Sequence, residues 1–493
     1  MVKQIQHHII KDDWTSTMLE IRNTDCPELS FKIIRNIIDF DDLKEIWNEA
    51  VLNSSSTIFQ TFEWLNCWWK YFASDQQNAL HIILILMKDN LIGIVPSYIQ
   101  SYEVLGFEIH RQLKLLGSGL NSARSSSYPI EKKGISDYLD IICIKGYESI
   151  VASSFISYLK DFPYLFDEID FQNISEDSFI FKWILPQIKE TDFYIRSSRS
   201  DICPKLKVPV SMDLYLDMVR SNMRRKVRQA LKQIEPGSQC KIEEVKSQSF
   251  ASAFQNLKLL HQKRWNELGY PGLFSDVRFE KFQDEISKQF MKNGWLWFKT
   301  IKQDNKPIAA RLGFMFNNKI CDYLSGFDVT SSSASIRPGT ILLVLMIKEA
   351  IENKFNNVDF LRGGEDYKFE ISSLVASNYR IFIKNKSSVK VLRQILFQII
   401  KLQSFIKLRL LSEKSIIALH IKQHGPVLFA PAYFQFYFGR LKMLLSRLFI
   451  FQRKPDPMPK AINPAYEFSG NQLQKKKYKM KNAIKNEVQE HEF

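Results

Sequence analysis

The sequence predicts an α/β chain of two lobes followed by a basic helical tail, and three observations predict it. Residues 337–368 read RPGTILLVLMIKEAIENKFNNVDFLRGGEDYK: an apolar helix, a short strand, and ionisable residues at the strand's end. Ahead of them, residues 295–301, 307–316 and 319–327 are strand-like and joined by Gln303-Asp-Asn-Lys and Asn317-Asn318 turns, the mark of an antiparallel meander. The earlier part of the chain repeats the opening order of strands, so an internal duplication is expected.

Length and composition set outer bounds. A chain of 493 residues, 45% hydrophobic and 25% charged, can hold two or three globular domains with a sizeable core. Six cysteines (Cys26, Cys67, Cys143, Cys203, Cys240, Cys321) are scattered without a Cys-x-x-Cys pair, which suggests neither a zinc site nor a disulfide framework, and no metal is expected. The start, MVKQIQHHIIKDDW, lacks a signal-peptide apolar region, and no uncharged run is long enough to span a bilayer, so a cytoplasmic location is expected. The net charge of +15 is unevenly placed: from Lys384 onward there are 21 Lys and Arg against 6 Asp and Glu, leaving 47 against 47 before it. Any nucleic-acid or membrane reading therefore rests on the tail.

Residues 1–30 have no sustained period and are expected to form a loosely ordered lead-in. The first lobe, 31–200, opens on a helix over 40–52, with Phe40, Leu43, Ile46, Trp47 and Ala50 at helical spacing. Residues 58–69, IFQTFEWLNCWW, are dense enough in aromatics to be core. Strands are expected at 80–87, 91–100 (after an Asp89-Asn90 turn) and 112–116. Gly117-Ser118-Gly119 then opens a Ser- and Gly-rich loop that can cradle phosphate but, without fixed spacing, reads as linker. A strand at 137–142, helices at 147–159 and 178–188, and a strand at 168–172 complete the lobe.

Pro204 and Pro209 mark the crossing to the second lobe, 201–385. Its helical region at 213–232 turns basic, with Arg224 and Arg228 on one face and Arg225 beside them. This is either a solvated face or an anion clamp, a task for which planar guanidinium suits phosphate better than ammonium does. The helix at 250–268 carries His261, a reserve general base that such a context makes more often structural. Last comes a strand at 379–384.

The chemistry concentrates at 337–368. Pro338 suits a first helical position, after which Gly339, Thr340 and Ile341 are expected to offer free backbone N–H groups to an anion, with Arg337 adding charge. At the far end Gly363 and Gly364 permit a sharp turn, and Glu365, Asp366, Tyr367 and Lys368 follow where open α/β sheets place ligands.

Beyond the body, 386–454 alternates Lys and Arg with Ile, Leu and Phe and includes the uncharged aromatic stretch 425–439. It reads as an amphipathic helical tail that either lies on an anionic membrane surface or packs on the body. Residues 455–493 are polar and Lys-rich, and disorder is expected.

The Pro-Gly-Thr helix start, the Asp-Phe-Leu-Arg-Gly-x-Glu-x-Tyr-Lys run, the Asp137-Tyr-Leu-Asp element and the aromatic stretch at 58–69 together resemble the CelD/BcsL branch of the GNAT acyltransferases. Members usually carry Ser before Pro-Gly, where this chain has Arg337. The resemblance runs from about residue 59 to 368. It implies a tandem GNAT fold akin to the Fem peptidyltransferases and acyl transfer from acyl-CoA, such as acetyl-CoA. The acceptor it implies is an amine or hydroxyl of an exopolysaccharide or envelope precursor, a sugar, amino sugar or lipid-linked intermediate at the inner face of the membrane. The long helical hairpin of the Fem enzymes has no counterpart between 274 and 337, which argues against an aminoacyl-tRNA donor. Acyl transfer needs a base, an oxyanion donor and an acid. Glu365 is the expected base and Tyr367 the expected acid; Arg362, Lys368, Arg224 and Arg228 are expected to hold the substrates. Two other readings stay open: a non-catalytic relative that binds an envelope precursor, and, ranked last, a nucleic-acid binder using the basic helix and tail.

Overall fold

The Asp304-Asn305 and Asn317-Asn318 pairs take positive φ (49° and 61°, 45° and 56°), which Asn and Asp tolerate and tight hairpins require. They close the meander of strands as the sequence predicts. The computed structural model describes residues 18–385 except 23–27, 75–77, 105–106, 120–133, 189–190, 236, 239 and 329–335. The expected tail at 386–454, the end at 455–493 and much of the lead-in lie outside the described residues.

The first half contains β1 (Met18–Arg22), β2 (Leu29–Ile34), α1 (Ile37–Asp41), α2 (Lys44–Leu52), α3 (Phe62–Trp68), β3 (Asn78–Leu80), β4 (Ile82–Met87) and β5 (Asn90–Val95). It continues with β6 (Ser97–Val104), β7 (Phe107–Leu115), β8 (Ile142–Cys143), α4 (Glu148–Asp161) and β9 (Glu168–Ser175). Next come β10 (Phe193–Lys207), α5 (Met212–Met218), α6 (Ser221–Ile234), β11 (Lys241–Glu244), α7 (Phe250–Glu267) and α8 (Val277–Lys292). The last elements are β12 (Leu296–Gln303), β13 (Lys306–Phe316), β14 (Lys319–Phe327), α9 (Pro338–Glu352), β15 (Asn357–Asp359), α10 (Asp366–Ile371) and β16 (Leu374–Asn385).

Among the described residues two sheets result: a small one in the order β1-β2-β4-β5-β8, and a large one in the order β11-β12-β13-β14-β15-β10-β16-β9-β7-β6-β3. The expected strand at 91–100 is two strands, because Pro96 has no N–H to continue a ladder and the chain there leaves the small sheet for the large one. His81 marks the reverse step between β3 and β4, and the two corners bond to each other: His81 N–H donates to the Ser97 carbonyl at 3.1 Å and Ser97 Oγ donates to the His81 carbonyl at 2.5 Å.

Each half makes one parallel crossover, β7–α4–β9 and β14–α9–β15. The strands that follow are exchanged. β10 succeeds β9 but pairs with β15, β16 succeeds β15 but pairs with β9, and β10 and β16 pair with each other. The large sheet is therefore continuous across both lobes, and the division drawn at 200/201 falls inside β10.

Other expectations need correction. The helices at 40–52 and 213–232 each break in two, at Asp42-Leu43 and at Val219-Arg220. Of 178–188 only a turn, Ile180–Ile184, is helical, and of 137–142 only Ile142 joins a strand. Asp137 and Tyr138 bond across to the other lobe instead of to a ladder. The apolar helix behaves as its sequence predicts: Ile341 through Ile347 are all buried in α9.

Candidate active site

β14 and β15 are partners only from Lys319↔Asn357 to Cys321↔Asp359, yet β14 runs on to Phe327. Its register against β13 passes from Gly313↔Asp322 to Leu312↔Leu324, so Tyr323 is an extra residue, and such a bulge bends and twists its strand. Beyond the last shared pair a cavity of about 320 Å³ opens, lined by β13, β14, the start of α9 and the flanking helices α6, α7 and α10.

The cavity has a polar mouth and an apolar wall. Thr340, Leu343, Val344 and Ile347, on one face of α9, line it together with Met223 and Ile371. Among the described residues, Lys226, Arg264, Arg311 and Arg337 bring four cations to the lining, against Asp328 as the one acid. Asp328 accepts from Lys263 at 2.9 Å, so the excess is positive. The Arg264 guanidinium lies 4.3 Å from the Phe327 ring centroid, a cation–π arrangement that leaves its edge for other partners. Arg311 is buried at 3% exposure, ion-pairs with Asp322 and donates from one terminal nitrogen to the Gly339 carbonyl at 3.2 Å.

The anion seat at the start of α9 is smaller than the sequence suggests. Arg337 adopts a left-handed conformation (φ 55°, ψ 59°), which turns its carbonyl inward. That carbonyl accepts from Thr340 N–H at 2.9 Å and Ile341 N–H at 3.2 Å. The Thr340 and Ile341 amides are therefore not free for a ligand, and Ile341 is buried away from the cavity. The Gly339 amide and the Arg337 side chain remain. Gly339 is required for a separate reason: a Cβ there would lie 2.7 Å from the Phe327 ring.

Tyr367 lines the cavity, and burial, reinforced by Asp322, raises its phenol above the ordinary value, so it holds its proton at neutral pH. Glu365 lies two residues away and outside the lining. Its carboxylate folds over Gly363 to Lys368 Nζ at 3.1 Å. Gly363 (φ 142°) permits this, since a Cβ there would fall 2.1 Å from the Glu365 carboxylate.

Of the four residues expected to hold substrate, three bond within the protein and none lines the cavity. Arg362 is half-buried at the lobe junction, where it pairs with Asp137 at 3.2 Å and donates to the carbonyls of Gly134 and Ser136 at 3.1 and 3.0 Å. Lys368, 6% exposed, donates to the Arg362 carbonyl at 2.9 Å. Arg224 donates from Nε to the Leu216 carbonyl at 2.6 Å, closing the end of α5, and Arg228 is exposed and outside the lining. His261 is a core residue against Phe274 and Trp265, its pKa pushed down to about 4 by burial. Sequence reasoning missed Arg311, Arg264 and Lys226; a lone Arg within the apolar strand Ile308-Ala-Ala-Arg-Leu-Gly was the available signal for the first.

The two motif elements prove to be partners. Tyr138 Oη donates to Asp359 at 2.8 Å and Asp137 pairs with Arg362, so Asp137-Tyr-Leu-Asp of the first lobe clasps Asp359-Phe-Leu-Arg of the second.

Residues 218–369 match the family model described as an acetyltransferase (GNAT) domain. The second lobe thus contains a region similar to GNAT domains, a class whose co-substrate is acyl-CoA. Solved structures with similar folds include FemX, at 11% identity and a TM-score of 0.49 over 73% of this chain and 98% of that one. L-PGS from Bacillus licheniformis has 9% identity and a TM-score of 0.40 over 75% and 97%. A tandem GNAT protein from the clavulanic acid biosynthesis pathway has 8% identity and a TM-score of 0.35 over 72% and 98%. No curated protein sequence matches the chain. Among the described residues no helix is long and apolar enough to cross a membrane.

Proposed function

We propose that the chain moves an acyl group from acyl-CoA, bound at the start of α9, to an amine or hydroxyl of a cell-envelope or exopolysaccharide precursor. The observation that carries this reading is the cation-rich cavity at the parting of β14 and β15, inside the region that matches the GNAT domain. Arg337, Arg264 and the Gly339 amide face the diphosphate of the donor, because guanidinium groups and a helix-start amide favour phosphate oxygens. Tyr367, protonated and lining the cavity, gives its proton to the departing thiolate. Glu365, two residues before Tyr367, takes the proton of the attacking group. The acceptor class, a sugar, amino sugar or lipid-linked intermediate, is supported by the sequence resemblance.

Calorimetric titration of the full chain with acetyl-CoA tests the donor, and saturable binding that weakens in Arg337→Glu is the expected result. No heat with acetyl-CoA or free CoA would remove the reading. Mass spectrometry of the purified chain with ligands retained then identifies the acyl group. The basic tail is proposed to hold the enzyme at an anionic leaflet, each Lys or Arg near the surface contributing about 1 kcal/mol. A chain ending at Lys386 should no longer sediment with anionic vesicles at low salt, whereas the full chain should.

A further inference from the structure

We infer that Arg311 is the oxyanion donor of the acyl-transfer site: its Nε–H takes the carbonyl oxygen of the bound thioester. This inference rests on the acyl-transfer reading above and names the group that would stabilise its transition state.

Three observations carry it. Arg311 lines the cavity while buried at 3% exposure, so the guanidinium has been taken out of water beside the place where the donor is expected. Its two terminal nitrogens have protein partners, the Asp322 carboxylate and the Gly339 carbonyl, but Nε is buried with no hydrogen-bond partner. A buried charged donor without a partner is costly, so an unpaired N–H on a residue that lines the cavity is a place for a ligand oxygen.

The charge balance says which oxygen. Asp322 already offsets the guanidinium, and it is 8% exposed and held against it. A ligand with a full negative charge there would have to compete with Asp322. A neutral carbonyl would not, and its oxygen gains charge only as the reaction proceeds, which is when a preorganised donor in a dry site acts most strongly. Position agrees, since Arg311 bonds the Gly339 carbonyl at the first turn of α9 and lines the same cavity as Tyr367, the proposed acid for the thiolate.

In the step itself the acceptor's nitrogen or oxygen bonds to the thioester carbon and the carbonyl π pair moves to oxygen, where Nε–H meets it. Collapse re-forms C=O and breaks C–S. The thiolate takes a proton from Tyr367, the acceptor's proton goes to Glu365, and Arg311 leaves the cycle unchanged.

The test uses two non-reacting probes, S-acetonyl-CoA, which keeps a carbonyl, and S-propyl-CoA, which lacks it. The wild-type chain should bind the ketone roughly tenfold or more tighter, the worth of a hydrogen bond from a charged donor. Arg311→Met alone would strand the buried Asp322, so the variants are Arg311→Lys, which keeps the charge, and Arg311→Met combined with Asp322→Asn, which removes the pair together. Both should bind S-propyl-CoA as the wild type does and lose the preference for the ketone, and turnover should fall about 10²-fold or more. Equal binding of both probes by the wild type, or a preference that survives in both variants, would overturn the assignment. Failure of the wild type to bind either probe or CoA itself would instead overturn the donor reading, and the assignment with it.

Discussion

The two parallel crossovers, β7–α4–β9 and β14–α9–β15, share a topology and differ in what occupies the space where their strands part. In the second, the cavity is open and cationic, and α9 begins with Pro338-Gly339-Thr340 and no acid in its first turn. In the first, α4 has Glu148 in its first turn, and that carboxylate accepts from the Gly146 amide at 2.9 Å. The strands there part after Leu113↔Ile169, and the buried Lys114 ammonium bonds Gln100 at 3.2 Å and the Gly119 carbonyl. Gln172 in turn accepts from the Gly119 amide at 3.1 Å. Among the described residues, the second copy thus presents polar groups to a cavity, whereas Lys114 and Gln172 of the first bond to groups of their own lobe.

The comparison presumes that the exchanged strands make the lobes a single unit, and Arg362→Met tests this most severely. It leaves Asp137 buried without its partner and should cost about 3–5 kcal/mol in denaturant unfolding; a loss below 1 kcal/mol would mean the clasp is incidental. Next in size, Glu365→Gln should lower turnover roughly 10²-fold with donor affinity kept, and Tyr367→Phe should slow thiolate release in single-turnover measurements. Full activity in both would place the chemistry elsewhere. Arg337→Glu should weaken CoA binding by about tenfold, while Glu148→Gln should leave it unchanged, because the proposed donor site lies at the start of α9. An equal effect of the two would erase the contrast drawn here.

The smallest effect is a pH dependence. Burial outweighs the attraction of Arg362 and raises the Asp137 carboxyl from 3.8 to about 6. The folded state therefore holds this proton more tightly than the unfolded state. The stability it contributes is fully present below pH 3.8 and is lost as pH rises to about 6. Melting temperatures across that window should decline less steeply in Asp137→Asn than in the wild type. Identical slopes would show that Asp137 titrates as an ordinary carboxylate.

Local chemistry was legible in the chain itself. The Asn and Asp turns, the all-apolar helix after Pro338 and the aromatic core at 58–69 follow from backbone preferences and hydrophobic period, which act over a few residues. Tertiary structure decided the rest. β10 was hidden because Arg196-Ser-Ser-Arg-Ser-Asp has no apolar alternation, and its place in the sheet comes from pairing with β15 and β16, far along the chain. Arg362 and Lys368 looked like substrate contacts because sequence displays charge but not burial, and the fold turned both inward to join the lobes. Arg311 looked like one polar residue in a strand, and only the approach of α9 and Asp322 made it a buried cation whose Nε–H has no partner. Short-range sterics and hydrophobic period can be read along the chain, whereas the partner of a buried charge is set by which distant segments the sheet brings together.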